Sequence, residues 1–334
     1  MQVKRISSPE GVFPDYVVNE CSSIALVGDL HITYRVRSRK DFYLDSILDK
    51  LSYICKSNDL VILLGDFFHT SSVSDHIKDY VVTRLKPYAS KLFSIIGNHD
   101  IISYNADKNM FSRTSINLLN NIGLLKLFNS IHVNGALDID SVSFLDYSRE
   151  SIIVPKINRV DGSVKILVGH MFFNSEADSE MSLFEDNFSN SDYFDYIILG
   201  HDHAPATYLL NGKTQVIIPG SLARNTSHQY NLQRIPSYCR YDCVTGVVTI
   251  EDLSMIAKPS VDIFKDSYLD ISECEDSDGR VSLENIKHQL DFINKDVSLK
   301  YDLFSALKEL HAPPDVVRYL SLIKDRYTEK KEYV

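Results

Sequence analysis

The sequence predicts an α/β fold in which buried strands alternate with helices. Residues 60–64 read LVILL, an unbroken apolar run that ends at Gly65 and is typical of a strand covered on both faces. A similar run occupies residues 24–27. Between the two runs, apolar residues recur at helical spacing from residue 42 to residue 54. This order predicts a helix that connects two neighbouring strands of one sheet.

The composition is that of an ordinary globular protein. The chain has 334 residues, of which 44% are hydrophobic and 24% are charged, and its formal net charge is −10. The length predicts one large domain and an appendage, and the change to a polar, acidic composition after Met255 places the boundary between residues 1–255 and residues 256–334. On bulk charge alone, the acidic balance does not favour nucleic acid as a partner, although a local basic patch or metal ions can still bind phosphate.

Neither a membrane span nor a secretion signal is predicted. No apolar stretch approaches the length of a bilayer crossing, and residues 1–11 contain no apolar signal core. The five cysteines are scattered without a CxxC pair, which argues against a thiolate zinc site and favours reduced thiols. We therefore expect a cytoplasmic protein that does not enter a membrane.

Five predicted strands of the large domain end in the same kind of motif, a glycine followed by Asp, Asn or His. The motifs are GDLH at 28–31, GD at 65–66, GNHD at 97–100, GH at 169–170 and GHDH at 200–203. One acid after a strand is common in turns, but turn chemistry alone does not explain the repetition. Because ligands in open α/β folds bind at the carboxyl ends of the strands, the motifs predict one shared site.

The side chains at these strand ends are suited to metal binding. They are Asp29, His31, Asp66, Asn98, His170, His201 and His203. Carboxylate, amide and imidazole groups without a thiolate favour Mn²⁺, Fe²⁺ or Zn²⁺ over Ca²⁺ or Mg²⁺. So many ligands indicate two ions that share a bridge. Residues two apart, such as Asp29/His31 and His201/His203, point the same way on extended backbone, so each pair is expected to chelate one ion.

The segment after the first motif is the most basic part of this acidic chain. Residues 34–41 read YRVRSRKD and contain Arg35, Arg37, Arg39 and Lys40. A basic loop beside a catalytic centre can hold a polyanion by its phosphates without reading its bases. We expect these four residues to contact a nucleic-acid backbone, and the alternative is an ordinary solvated loop.

The remaining elements follow from the same patterns. Residues 1–22 form a leader in which 16–18 is a candidate edge strand, and residues 77–85 form a helix that stops at Pro87. Short alternating strands are expected at 206–210, 214–218, 237–241 and 247–250. Helical spacing returns over residues 283–323 and predicts a tail that packs as its own bundle or against another protein.

The motifs at the strand ends, taken in order from residue 28 to residue 203, resemble those of the calcineurin-like metallophosphoesterase superfamily. The resemblance implies an α/β fold in which a two-sheet β-sandwich is flanked by helices, with a small α-helical C-terminal region. It implies two divalent ions, with Mn²⁺ as the expected metal. The ligands it implies are Asp29, His31 and His203 for one ion, Asn98, His170 and His201 for the other, and Asp66 for both.

The resemblance also implies catalytic roles. His99 would lie over the ions as an acid or a transition-state stabiliser, oriented by Asp100. The second motif, GDFFHTSSVS at 65–74, is similar to that of the SbcD-type double-strand-break repair nucleases, in which the histidine matching His69 helps to place the scissile strand. Residues 220–222, GSL, are also similar to SbcD-type sequences.

This branch implies particular partners. In such nucleases a C-terminal helical segment docks on an SMC-like ATPase of SbcC type, and we therefore expect DNA and such an ATPase as partners, with homodimerisation as a further expectation. The region after Met255 is short, as in the recombination nuclease subunits of large bacteriophages, which indicates a bacteriophage origin.

Three functional hypotheses follow. The first is a two-metal DNA exonuclease or endonuclease subunit that acts in DNA recombination and repair with an SMC-like ATPase. The second is a phosphodiesterase or phosphatase that uses the same site on small phosphoesters. The third is a non-catalytic scaffold, which the full set of ligands disfavours and which a failure to bind two metals would favour.

Overall fold

The computed structural model describes residues 1–6, 13–102, 111–142, 162–173, 182–183, 194–210, 212–225 and 229–265. Within these residues, a six-stranded sheet carries the first three motifs. Its strands, in spatial order, are β16 (Val247–Asp252), β15 (Ser237–Asp242), β3 (Ser23–Val27), β4 (Leu60–Leu63), β5 (Leu92–Ser94) and β6 (Lys126–Leu127). The strands from β3 to β6 run parallel, so their carboxyl ends lie at one edge of the sheet.

An eight-stranded sheet carries the last two motifs. Its strands, in spatial order, are β1 (Gln2–Ile6), β2 (Asp15–Asn19), β7 (Ser130–Val133), β8 (Leu137–Val142), β9 (Val164–His170), β12 (Tyr196–Gly200), β14 (Thr214–Ile218) and β13 (Ala206–Leu210). The short strands β10 (Phe172–Phe173) and β11 (Ser182–Leu183) pair separately. The parallel neighbours β9 and β12 end together at His170 and Gly200.

Helices connect and flank the strands. They are α1 (Tyr43–Ser57), α2 (Asp75–Leu85), α3 (Ser115–Asn121), α4 (Gln229–Gln233) and α5 (Ser260–Ile263). Pro87 lies in the short 3₁₀ turn Lys86–Tyr88 that ends α2, as predicted. Within the described part of the chain, no helix is long and apolar enough to cross a bilayer.

The unbroken apolar runs are explained by packing on both faces of the six-stranded sheet. In β3, Ile24 and Leu26 pack between the two sheets, whereas Ala25 and Val27 pack under the helices. Side chains of a strand point alternately to opposite faces, so a strand covered on both sides needs apolar residues at every position. The predicted architecture, two sheets flanked by helices, is confirmed.

The N-terminal leader differs from its prediction. Residues 2–6 form a strand that pairs antiparallel with β2, so β2 is an interior strand and β1 is the edge. Val3 is partly buried and the other four residues of β1 are exposed, so the strand lacks the apolar run that identified the other strands. The leader completes the eight-stranded sheet.

The large domain extends past the predicted boundary at residue 255. The chain divides into the units Met1–Asp270 and Ile271–Val334, and the described residues belong to the first unit. Ile263 and Phe264 are fully buried there, and the backbone of Lys40 donates to the carbonyl of Ile263. The predicted helical tail at 283–323 lies outside the described residues.

Lys50 is an unusual buried cation in α1. Its Nζ donates to Ser46 Oγ at 3.0 Å, and its side chain is 3% exposed. Burial, together with the positive charges of Arg39 and Arg224, lowers the pKa of Lys50 from 10.5 to about 7. The unfolded chain therefore binds this proton more tightly than the folded chain. Burial of this charge therefore lowers the free energy of unfolding by its full amount below about pH 7, and by less and less as the pH rises toward 10.5.

We expect Lys50→Met to raise the free energy of unfolding by up to a few kcal/mol near neutral pH, and by progressively less as the pH rises toward 10. Urea unfolding of both proteins across this pH range measures the difference, in which all other titrating groups cancel. Lys56→Met, an exposed position of the same helix, is the control and should change little. A gain that does not depend on pH would mean that packing, not charge, is responsible.

Candidate metal centre

Both sheets deliver polar side chains to the same place. Asp29 and His31 follow β3, and Asp66 follows β4. His170 ends β9, and His201 follows β12. The remaining members of the site are Asn98, His99, Asp100 and His203. The site therefore lies where the carboxyl ends of parallel strands from two sheets meet, as the strand-end motifs predicted.

Glycines allow the strand ends to approach each other closely. Gly65 has a φ of +88°, and a Cβ there would lie 2.6 Å from His170 Nδ1. A Cβ on Gly97 would lie 2.2 Å from Asp66 Oδ1 and 2.3 Å from the Asp66 backbone nitrogen. The glycines of these motifs thus keep the space that the acid and the histidine occupy.

We expect Gly97→Ala to weaken Mn²⁺ binding by roughly 10–100-fold, because the added methyl group must displace Asp66. Calorimetric titration of the metal-free protein measures this loss. Gly135→Ala is the control, because its Cβ would meet nothing within 4 Å. Its φ of +67° is unfavourable for alanine, so this substitution should lower the stability of the protein without changing its metal affinity. Equal metal affinity in both variants would show that Asp66 tolerates the displacement.

The first cluster consists of Asp29, His31 and His203, whose ligand atoms lie within 4.8 Å of one another. His31 Nε2 and His203 Nε2 are 2.9 Å apart. They lie 3.6 Å and 3.3 Å from Asp29 Oδ2. Two ring nitrogens and a carboxylate oxygen therefore converge on one point.

The second cluster consists of Asp66, His170 and His201. His170 Nε2 lies 3.3 Å from Asp66 Oδ1 and 3.2 Å from His201 Nδ1, and Asn98 Oδ1 is 2.9 Å away. His170 Nδ1 lies 2.7 Å from the Leu64 carbonyl and donates to it, which leaves Nε2 as the ligand atom. Asn98 thus joins this cluster through its amide oxygen.

Asp66 stands between the two clusters. Its Oδ1 faces His170, and its Oδ2 lies 3.7 Å from His31 Nε2. Asp66 is 1% exposed and has a φ of +47°, a backbone conformation that is uncommon for a residue with a Cβ. The geometry is that of a carboxylate that serves both clusters.

His201 and His203 separate, contrary to the expectation that residues two apart chelate the same ion. His201 belongs to the Asp66 cluster and His203 to the Asp29 cluster. The φ of His201 is +90°, so the backbone there is not extended and the alternation rule fails. Asp29 and His31 do share a cluster.

Charge in the site is balanced by imidazoles. Burial alone would raise the pKa of Asp29, but His170, His203 and His31 outweigh it and hold that pKa well below its usual range. Burial also lowers the pKa of His201 to about 3, aided by the charge of neighbouring His170. His201 is therefore neutral at physiological pH and its ring can offer a lone pair.

His99 and His69 form a histidine pair beside these clusters. Their rings stack with centroids 5.5 Å apart, and the His99 ring lies 4.8 Å from that of His31. His99 Nδ1 donates to the backbone carbonyl of His69 at 2.7 Å. His99 Nε2 is 3.9 Å from Asp66 Oδ2, and the side chain is 27% exposed. His99 thus reaches from the ligands toward solvent.

Asp100 does not orient His99 as predicted. Its carboxylate accepts from the backbone nitrogens of Gly97 at 3.0 Å and of Phe67 and Phe68 at 3.4 Å. Burial and the charge of Asp66 raise the pKa of Asp100 to about 7. The His69 carbonyl orients the His99 ring instead, and Asp100 ties together the loops after β4 and β5.

The basic loop divides into buried and exposed members. Arg39 is 3% exposed and makes a bidentate ion pair with Asp41, at 2.7 Å and 2.6 Å. The prediction that Arg39 contacts DNA is therefore corrected, because its guanidinium is enclosed within the fold. Arg35, Arg37 and Lys40 are exposed.

Two further residues shape the site without carrying a strong sequence signal. Ser221 Oγ donates to the Asp29 carbonyl at 3.0 Å, and the Ser221 backbone nitrogen donates to the His203 carbonyl at 3.2 Å. Tyr43 Oη donates to the Leu30 carbonyl at 3.0 Å. Ser221 lies in the GSL segment noted above, whereas nothing in the sequence marked Tyr43 as more than an apolar helix position.

A sequence model of the calcineurin-like phosphoesterase family matches residues 22–205, a stretch that contains every ligand of both clusters. The chain belongs to this family. No curated protein matches the chain.

This calcineurin-like phosphoesterase is also similar to solved structures. One is a protein of Thermus thermophilus, with 9% identity, a TM-score of 0.42, and coverage of 70% of this chain and 99% of the other. A structure described as a novel archaeal phosphodiesterase has 16% identity, a TM-score of 0.38, and coverage of 69% and 99%. A predicted phosphoesterase of Streptococcus pneumoniae has 13% identity, a TM-score of 0.31, and coverage of 66% and 81%. These similarities are too distant to indicate a substrate.

The site fits the two metal ions on which calcineurin-like phosphoesterases depend. Asp29 Oδ2 is buried and accepts no hydrogen bond from the described residues, and buried carboxylate oxygens are rarely left in that state. Asp29, His31 and His203 would hold one ion, and Asn98, His170 and His201 would hold the other. Asp66 would contact both. The ions would supply Lewis acidity toward a phosphate group.

Proposed function

We propose that this phosphoesterase is a DNA nuclease subunit that hydrolyses phosphodiester bonds with two divalent ions, Mn²⁺ being the expected metal. The observation that carries the proposal is the histidine pair, His69 and His99, placed on the solvent side of two ligand clusters and next to a basic loop. A phosphodiester needs charge stabilisation at the phosphate and a proton for its leaving oxygen, and this arrangement offers both.

His99 would provide the proton. Because Nδ1 donates to the His69 carbonyl, the ring is held with Nε2 toward the ligand clusters and solvent. A protonated Nε2 in this place can donate to a non-bridging oxygen or to the leaving oxygen of a phosphodiester. The same hydrogen bond positions the His69 backbone. The His69 ring stacks on the His99 ring, and from there it would help to place the scissile strand.

Arg35, Arg37 and Lys40 would contact the nucleic-acid backbone. They are exposed on the segment that follows His31, and Arg35 and Arg37 make no ion pair with any residue that the structure describes. Basic side chains in this position hold phosphates without selecting a base sequence.

The proposed partner is an SMC-like ATPase subunit of SbcC type, with which the nuclease would act in recombination or repair. The proposal rests on the sequence similarity of residues 65–74 and 220–222 and on the helical spacing of residues 283–323. Homodimerisation is part of the same proposal.

The decisive experiment is hydrolysis of an end-labelled DNA duplex, with bis(p-nitrophenyl) phosphate assayed in parallel, in Mn²⁺ and after chelation. Chelator-sensitive degradation of DNA that is lost in His99→Ser would support the nuclease. Turnover of the small ester with DNA untouched, both as duplex and as single strand and also after addition of a candidate ATPase, would favour the alternative, a phosphodiesterase or phosphatase for small phosphoesters. Absence of metal binding would favour the scaffold.

A further inference from the structure

The chain from Tyr34 to Tyr43 surrounds a surface cavity of about 670 Å³ that is separate from the two ligand clusters. Basic side chains line it, namely those of Arg35, Arg37, Arg39, Lys40 and Lys265. The aromatic rings of Tyr34 and Phe42 also line it. A cavity of this size accommodates a nucleotide-sized group.

The cavity carries a surplus of positive charge. Among the described residues that line it, Asp41 is the only acid, and both oxygens of Asp41 are engaged by Arg39. Arg35 and Arg37 have neither a hydrogen bond nor an ion pair with any of the residues that are described. In a chain with a net charge of −10, this local surplus indicates an anionic ligand.

Arg39 attaches the loop to the body of the domain. Its Nη1 donates to the Arg224 carbonyl at 2.8 Å, and its guanidinium lies 5.0 Å from the ring centroid of Tyr43 and 6.0 Å from that of Phe264. On the other side, the Lys265 backbone nitrogen donates to the Ser38 carbonyl at 3.0 Å. The exposed arginines therefore stand on a preorganised support, which reduces the entropy lost when they bind a ligand.

The exposed aromatic rings favour a ligand that carries more than phosphate groups. Tyr34 is 48% exposed and Phe42 is 44% exposed. Their rings meet edge to face with centroids 5.6 Å apart. A phosphate gains nothing from such rings, whereas an unpaired base stacks on them. Bases inside a duplex are already stacked on their neighbours and cannot do so.

The cavity adjoins the metal centre through the chain. Tyr34 lies three residues after His31, and Tyr43, which forms one wall of the cavity, has its Oη 3.4 Å from the His31 carbonyl. A strand held in the cavity would therefore pass close to the segment that carries a metal ligand.

We propose that this cavity binds a single-stranded nucleic-acid segment, with phosphates on Arg35 and Arg37 and a base on Tyr34 and Phe42, so that the substrate reaches the metal centre as an unpaired strand. That this strand is the substrate rests on the proposed nuclease function, whereas binding of a single strand in the cavity is independent of that function.

The test is fluorescence anisotropy of the full chain with a labelled oligothymidylate in chelator, so that hydrolysis is absent. A blunt DNA duplex and inorganic polyphosphate serve as competitors. We expect the oligomer to bind at least about 10-fold more tightly than the duplex, because only its bases can stack. Arg35→Gln with Arg37→Gln should weaken binding of the oligomer and lower its salt slope by roughly 1.4, the value for two contacts with a single strand.

The aromatic variants distinguish a strand from a simple polyanion. Tyr34→Leu and Phe42→Leu keep an apolar side chain but remove the stacking faces. Each should weaken oligomer binding by roughly 5-fold or more and leave competition by polyphosphate unchanged. Tyr53→Leu and Arg5→Gln, both at exposed positions away from the cavity, are the matched controls and should bind as the unmodified protein does.

Loss of binding in the charge variants alone, with Tyr34→Leu and Phe42→Leu unaffected, would overturn the proposal in favour of a site for any polyanion. Equal binding of duplex and oligomer, or no effect of any variant, would also overturn it. If the oligomer binds through these residues but neither single-stranded nor duplex DNA is cleaved in Mn²⁺, with or without a candidate ATPase, the proposed nuclease function fails while the cavity assignment stands.

Discussion

Asp66→Asn is expected to reduce hydrolysis to background and to empty both metal positions. Asp66 Oδ1 lies 3.3 Å from His170 Nε2, and Oδ2 lies 3.7 Å from His31 Nε2, so this one side chain serves both clusters. Asparagine keeps the shape but removes the negative charge, and its nitrogen cannot act as a ligand. Divalent metal held by mixed carboxylate and imidazole ligands depends on that charge.

Metal content after dialysis, measured by elemental analysis, and turnover of bis(p-nitrophenyl) phosphate together check this expectation. Asp75→Asn is a suitable control, because its side chain is 99% exposed and forms only a surface ion pair with Lys78. We expect the control to keep two ions per chain and full activity. Two ions retained in Asp66→Asn, with activity unchanged, would refute the bridging role.

His99→Ser is expected to keep both metal ions and to lower the rate by roughly 10²–10⁴-fold, the scale of general acid catalysis. His99 is oriented by the His69 carbonyl and reaches toward solvent, whereas the ligands Asp29, His31 and His170 are buried. The rate should be measured in saturating Mn²⁺, so that a small change in metal affinity does not imitate a catalytic loss.

The competing possibility is that His99 is a metal ligand. His31, His69 and His99 also place ligand atoms within 4.8 Å of one another, so His99 has the geometry to hold an ion. Loss of one ion per chain in His99→Ser would identify His99 as a ligand and remove it from proton transfer. His132→Ser, in the eight-stranded sheet, is the control for loss of a partly exposed histidine and should keep both metal and rate.

Much of the fold follows from local patterns. The strands β3 and β4 were predicted because both faces of their sheet are covered, which requires an uninterrupted apolar run. Helix α1 was predicted because one of its faces is buried and the other is exposed to solvent, which gives apolar residues at helical spacing. Strand β1 was missed because an exposed edge strand needs neither pattern, and its place in the sheet depends on pairing with β2.

The end of the large domain was placed too early for a related reason. Residues 256–280 were predicted to be a polar, acidic linker, yet residues 256–265 include five apolar residues, of which Ile263 and Phe264 are buried in the body of the domain. A short segment held by two buried residues and backbone hydrogen bonds has no periodicity that a sequence pattern can detect.

The sequence by itself determined which side chains converge. Glycine and a polar residue follow β3, β4 and β5, and neighbouring parallel strands end at one edge of their sheet, so Asp29, Asp66 and Asn98 had to meet. The pattern of residue types did not decide how the ligands divide, and the tertiary structure shows the grouping that the family resemblance implied. The positive φ of His201 sends it to the Asp66 cluster and away from His203, a backbone carbonyl orients His99, and Arg39 is enclosed by groups far away in the chain. Such contacts depend on backbone conformation and on distant partners, and for that reason no local pattern of residue types encodes them.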